Sequence, residues 1–154
     1  NTTSCKFTFI DKTGRLLTPA QFDGARHFSE DLAPVKIGTL WGFLDKTGYL
    51  VVQPKFEDAE PHYSGLSRIK ENGLYGYADK TGKVVIPAQF SYAEDFSEGF
   101  AVVAGYAYID TTGRRASFGT FQAASPFFKG VAHVRLSDTA YAYIDKTGRR
   151  IFTY

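Results

Sequence analysis

Apolar positions along this chain come in short alternating bursts rather than in helical stripes. An aromatic, small, aromatic triplet recurs as Phe7-Thr8-Phe9, Trp41-Gly42-Phe43, Tyr75-Gly76-Tyr77, Tyr106-Ala107-Tyr108 and Tyr141-Ala142-Tyr143. Side chains at i and i+2 share one face of an extended strand, so each triplet predicts a β-strand. Short apolar runs follow at Leu16-Leu17-Thr18, Leu50-Val51-Val52 and Val84-Val85-Ile86 and predict a return strand. Pro19, Pro54 and Pro87 are expected to end it, because proline donates nothing to a ladder. Between the two strands lies a polar tetrapeptide suited to a hairpin. Its Asp side chain can accept backbone N–H bonds, and its Gly tolerates the left-handed closing position. No segment carries the 3.6-residue period of a helix.

That tetrapeptide sets the register of the whole chain. Asp-Lys-Thr-Gly occupies positions 11–14, 45–48, 79–82 and 145–148, with Asp-Thr-Thr-Gly at 110–113. Successive aspartates are 34, 34, 31 and 35 residues apart, a period that marks a repeat architecture. Eleven residues after the Asp stand Phe22, Phe56, Phe90 and Phe121, and three later Ala25, Ala59, Ala93 and Ala124. Leu32, Leu66, Phe100 and Val131 follow, then Val35, Ile69, Val103 and Val134. Length differences gather before the aromatic strand, where a second turn absorbs them. In the shortest copy only Ala104-Gly105 intervenes, consistent with a two-residue turn. Each repeat reads as a three-stranded antiparallel meander plus an irregular Phe-x-x-Ala connection.

Trp41-Gly42-Phe43-Leu44-Asp45-Lys46-Thr47-Gly48, followed by Gln53-Pro54-Lys55-Phe56, resembles the WG (KWG) repeat of bacterial proteins. The stretch from Tyr75 to Val103 is similar to that consensus over its whole length. The resemblance runs from Phe7 to Tyr154. The Trp-Gly pair itself survives only once, and positions 114–119 lack the usual apolar run. The resemblance implies an all-β repeat used in binding or cell-surface contexts, and implies no reaction.

One repeat of this size cannot bury enough apolar surface alone, so the copies are expected to stack. The chain reads as a single domain over residues 1–154, about four and a half repeats long. The expected fold is all-β, with the meanders in an open solenoid-like array. A closed five-bladed β-propeller is the alternative, but the first copy lacks its leading strand. Composition agrees with an ordered domain: 44% of residues are hydrophobic and 22% charged. A net charge of +2 gives no reason to expect a nucleic-acid partner. No apolar run approaches the roughly 20 residues of a membrane-spanning helix.

Candidate chemistry is sparse. Cys5 is the only cysteine and has no histidine beside it in a nucleophile motif, leaving an intermolecular disulfide as its functional reading. His27, His62 and His133 lack metal-ligand spacing, and His62 stands where other copies carry Phe28, Phe96 and Phe127, so it is expected to fill a packing slot. Each turn aspartate is a lone carboxylate, whereas calcium takes 6–8 oxygens. No catalytic residue, metal or cofactor is therefore assigned. Lysines and arginines gather at the Asp-Lys-Thr-Gly turns and acids in the connections, which predicts one basic and one acidic edge. The absence of Met, and a glycosylation triplet at Asn1-Thr2-Thr3, suggest a processed, extracellular or cell-surface chain.

Two functions follow as expectations. The first is a non-catalytic structural or interaction module, which docks protein or assembles with its own copies by strand addition at open repeat ends. Its candidate residues are Cys5 and the terminal Arg149, Arg150, Ile151, Phe152 and Tyr154. The second is a carbohydrate-binding module that lays a polysaccharide on a ladder of Trp41, Tyr75, Tyr106 and Tyr141.

Overall fold

A computed structural model describes residues 5–19 and 21–154, so the Asn1-Thr2-Thr3 triplet lies outside the described residues. The described chain is all-β. A leading segment pairs Phe7 with Phe22 and Ile10 with Leu16. Sheet I then comprises β1 (Gly24–Ala25), β2 (Leu32–Ile37), β3 (Leu40–Asp45) and β4 (Leu50–Phe56). Sheet II repeats it with β5 (Asp58–Tyr63), β6 (Leu66–Glu71), β7 (Leu74–Asp79) and β8 (Val84–Phe90). Sheet III is reduced to β9 (Phe100–Val103) and β10 (Ala107–Asp110), with single bridges from Ala93 and Arg115 at its flanks. Sheet IV comprises β11 (Ala123–Ala124), β12 (Val131–Ser137), β13 (Ala140–Asp145) and β14 (Arg150–Thr153). In the three full sheets the spatial order follows chain order and every pairing is antiparallel.

The stacked repeats match the sequence expectation, with three differences of detail. The Phe-x-x-Ala segment is a fourth strand rather than an irregular connection: Ala25 pairs with Val35, Ala59 with Ile69 and Ala124 with Val134. In sheets I and IV two paired residues are too few to leave a period-2 signature, and in sheet II a register shift between Ala59 and His62 interrupts the six-residue strand. The return strands run through their prolines, because Pro54 and Pro87 sit in edge strands where a missing N–H breaks no ladder. The turn at 104–106 has three residues, Gly105 at φ 80° and Tyr106 at φ 53° carrying the reversal.

The Asp-Lys-Thr-Gly hairpins repeat one hydrogen-bond network five times. In the last, Asp145 Oδ1 accepts from the Thr147 N–H (2.9 Å), the Thr147 hydroxyl (2.6 Å) and the Arg149 N–H (3.1 Å). The Gly148 N–H closes the turn on the Asp145 carbonyl at 2.9 Å. The threonine hydroxyl first, then the backbone donors and Arg149, outweigh a little burial and hold the Asp145 carboxyl down at about 2. Asp11, Asp45, Asp79 and Asp110 are lowered by the same network, against some burial at Asp79. A carboxylate whose folded pKa lies below its ordinary 3.8 contributes stability above that value and loses it as pH falls toward 2. Asp145→Asn should therefore melt below the parent chain at about pH 5, with the gap closing near pH 2.5 in paired thermal melts.

The connection before β2 and the β3–β4 turn lie at the same end of the sheet, as do their counterparts in later repeats, so the turn lysines meet the acids of that connection. Lys46 bridges Asp31 (2.6 Å), Lys80 bridges Glu30 of the preceding sheet (3.5 Å) and Lys146 bridges Glu98 (3.3 Å). This edge carries both signs, and the expected separation into basic and acidic edges does not form.

The core consists of layers between successive sheets. Phe43, Val52 and Phe56 of sheet I pack on Ala59, Ile69 and Ala78 of sheet II. Leu66, Tyr77 and Ile86 pack on Ala93, Val103 and Ile109, and Val102 and Tyr108 on Phe127, Val134 and Ile144. At the front of the array Phe9 and Phe28 close over Phe22, Val35 and Leu44. Among the described residues the array is open. Ile10 and Leu16 remain exposed at one end, and Tyr143 and Phe152 at the other.

Candidate functional site

Sheets I to III each bury two faces, one toward the preceding repeat and one toward the following, and the side-chain alternation of the aromatic strand assigns them. Phe43, Tyr77 and Tyr108, two residues before their aspartates, point to the following sheet and are 0%, 0% and 2% exposed. The Tyr77 hydroxyl donates to the Glu94 carbonyl, and the Tyr108 hydroxyl to the Ser125 carbonyl, both 2.6 Å away on the next repeat. A second aromatic from that repeat caps each ring edge-on or tilted: His62 on Phe43 at 4.6 Å, Phe96 on Tyr77 at 4.7 Å, Phe127 on Tyr108 at 5.1 Å. Tyr143 occupies the same position in sheet IV and is 39% exposed.

Arginines add a second contact between neighbouring sheets on this face. Arg26 stacks on Trp41 at 4.3 Å and donates to the Ala59 carbonyl of sheet II. Arg68 lies 5.5 Å over Tyr75 and donates to the Ala93 carbonyl beside sheet III. In sheet IV, Arg135 pairs with Tyr141 as Lys36 does with Trp41 and Lys70 with Tyr75; it lies 5.8 Å over the Tyr141 ring and bonds the Ser137 carbonyl (3.1 Å) and Asp138 (3.3 Å) of its own hairpin. Around it His133, Tyr141 and Tyr154 stack with interplanar angles of 9–19°. The Tyr154 hydroxyl lies 2.9 Å from His133 Nε2, and Phe152 joins the cluster at 5.7 Å from Tyr154. The result is an aromatic surface with one guanidinium at its margin.

The sequence candidates divide accordingly. Tyr141, Phe152 and Tyr154 come together on this face. Ile151, exposed on β14, alternates to the opposite side, while Arg150 is exposed at the strand start and Arg149 holds Asp145. Trp41 and Tyr75 are half-buried platforms for the arginines that join repeats, and Tyr106 is exposed in its tight turn. Cys5 is exposed in the leading segment. The ladder of Trp41, Tyr75, Tyr106 and Tyr141 thus does not form one open strip. His133, Arg135 and Tyr143 were not singled out from sequence. For Tyr143 the signal was positional: it is the last copy of a site that is covered at Phe43, Tyr77 and Tyr108.

The remaining polar groups are accounted for by packing. Arg68 spans Glu60 (3.3 Å) and Asp95 (3.2 Å) beside a cleft of about 390 Å³ lined by Tyr63, Glu94, Phe96 and Pro126. Burial first of all raises both carboxyls, against the arginines. His62 fills the expected aromatic slot, fully buried with neither ring nitrogen hydrogen-bonded, and burial lowers its pKa. His62→Phe should raise stability by about 1–3 kcal/mol, the usual cost of unpaired buried polar groups. A His lowered from 6.5 loses stability as pH falls, because the unfolded state takes up the proton. The advantage of the variant should therefore widen below pH 6.5 in denaturant titrations. No group of three or more His, Cys, Asp or Glu among the described residues is arranged to hold a metal ion. Nor is any helix there long and apolar enough to cross a membrane.

The sequence profile of the WG containing repeat matches residues 7–39, 41–75 and 75–104. No curated protein matches the chain. Among solved structures, the crystal structure of the computationally designed Ika8 protein is similar at 12% identity and a TM-score of 0.50. The likeness covers 92% of this chain and 53% of that one, so the chain spans about half the length of the designed protein. A protein of unknown function from Bacteroides caccae is similar at 13% identity, 97% and 69% coverage, and a TM-score of 0.39. The first likeness shows a shared fold.

Proposed function

Because the chain belongs to the WG containing repeat family, we propose that it is a non-catalytic interaction module that docks a protein through the uncovered face of sheet IV. The observation that carries this reading is the exposure of Tyr143, 39% against 0% and 2% at Tyr77 and Tyr108. Three stacked rings, Phe152 and Arg135 complete a surface rich in the residue types that anchor protein interfaces. An extracellular or cell-surface setting is part of the proposal and rests on the Asn1-Thr2-Thr3 triplet.

A photocrosslinking amino acid at position 143, in cells making the chain, tests it. Discrete protein adducts are expected there and not from position 49, where Tyr49 is 68% exposed on a turn. Equal labelling at the two positions would overturn the reading. The near-parallel Tyr141, His133 and Tyr154 rings also favour a second reading, in which a polysaccharide stacks on them. Shifts of those ring resonances on titration with glycans would support it, and a flat response removes it.

A further inference from the structure

Resting on that docking surface, we infer that its occupant is the opposite end of a second copy of this chain, joined head to tail. The argument is continuity with an interface that the chain builds repeatedly within itself. The residue seven positions after the turn aspartate points to the next sheet, and the next turn glycine settles on it. A Cβ on Gly82 would lie 2.6 Å from Val52, and one on Gly113 would lie 3.3 Å from Ile86. The equivalent residue in sheet IV is Phe152, 59% exposed with no glycine over it. At the other end, nothing among the described residues lies within 4 Å of the Gly14 Cβ position, whereas Gly48, Gly82, Gly113 and Gly148 all meet the preceding repeat.

The apolar partners show the same complementarity. The residue before the turn aspartate faces the preceding repeat and is buried at Leu44, Ala78, Ile109 and Ile144, at 1%, 0%, 0% and 1% exposure. Ile10 is the fifth member of that series and is 63% exposed, with Leu16 beside it at 56%. Laying the leading segment of one copy on sheet IV of another sets Gly14 on Phe152 and Ile10 against Tyr143. These are the pairings already made between neighbouring repeats. The two surfaces differ, so the contact is heterologous: repeated from copy to copy it gives a ring where the rotation closes and an open chain where it does not, rather than an isologous dimer.

Sedimentation velocity across a concentration series tests the inference, using Ile10→Glu and Phe152→Glu. Both side chains are exposed, and circular dichroism checks that each variant folds. The parent chain should grow in steps of one 17.1 kDa protomer, and each variant alone should remain a monomer. Mixing the two variants should restore complexes of two chains and nothing larger, since one intact end survives on each. A parent chain monomeric at every concentration overturns the inference. So does an Ile10→Glu variant that assembles normally while Phe152→Glu does not, which would mean a symmetric contact between sheet IV faces. Adducts from position 143 with a different protein would leave the docking surface standing while this occupant falls.

Discussion

Replacing Gly42 by alanine is expected to destabilise the fold by about 3 kcal/mol, lowering the thermal midpoint by roughly 6–12 °C. β3 and β4 are out of step around this residue: Trp41 pairs with Phe56 and Phe43 with Val52, so two extra residues of β4 bulge over Gly42. A Cβ there would lie 2.2 Å from the Val52 carbonyl oxygen, 2.8 Å from the Pro54 nitrogen and 2.9 Å from the Gln53 carbonyl carbon. All three are backbone atoms, so no rotamer change relieves the clash and the edge strand must lift. Gly76 repeats the arrangement under β8, with 2.6 Å to both the Ile86 oxygen and the Ala88 nitrogen. Where the small residue is alanine the bulge is missing. Beside Ala107 the edge strand dwindles to one bridge, and Ala142 pairs one-to-one with Thr153. Ala142→Gly, the reciprocal control, should cost only about 0.5–1 kcal/mol of backbone entropy. Calorimetric melts of both variants decide it. A Gly42→Ala chain that melts with the parent would show that the bulge does not depend on this glycine.

That glycine illustrates what the sequence disclosed and what it did not. The Trp-Gly pair was legible as part of a strand, and a close approach at the small residue could be anticipated. The structure sets the edge strand of the same sheet against it. Nothing in Gln53-Pro54-Lys55 announces that two residues will be accommodated as a bulge, since register is settled by pairing across the sheet. The turns were read nearly atom for atom, because their chemistry is local: Asp11 and its four equivalents bond within four residues. The alanine strands were missed because Ala59 and Ala93 are selected for fitting under a neighbour, which leaves no alternation. Trp41 and Tyr75 drew attention as exposed aromatics, yet their role as arginine platforms depends on Ala59 and Ala93, next-repeat contacts that no local pattern encodes. The candidate surface was half visible for the same reason. Phe152 and Tyr154 stood out at the end of the chain, while Tyr143 matters only because its equivalents are covered.

Phe43→Ala and Tyr143→Ala measure that difference directly. Phe43 is fully buried among Val52, Phe56, Ala59, Ile69 and Ala78, with His62 at 4.6 Å, so truncation should destabilise by about 3–5 kcal/mol. Tyr143 stands at the same place in its repeat but packs on one side only, against His133 at 5.2 Å and Tyr154 at 6.3 Å. Its truncation should cost below about 1 kcal/mol in dilute protein, as surface changes usually do. Urea titrations at low concentration give both numbers under conditions where chains stay apart. The strand, the turn and the side-chain direction are shared, so only a following sheet distinguishes the two sites. If Tyr143→Ala proved as damaging as Phe43→Ala, the face of sheet IV would be covered by the chain itself. The docking surface and the head-to-tail contact would then both lose their basis. A small loss at Tyr143 that grows with protein concentration would instead place a second molecule where Ala59, Ile69 and Ala78 of sheet II cover Phe43.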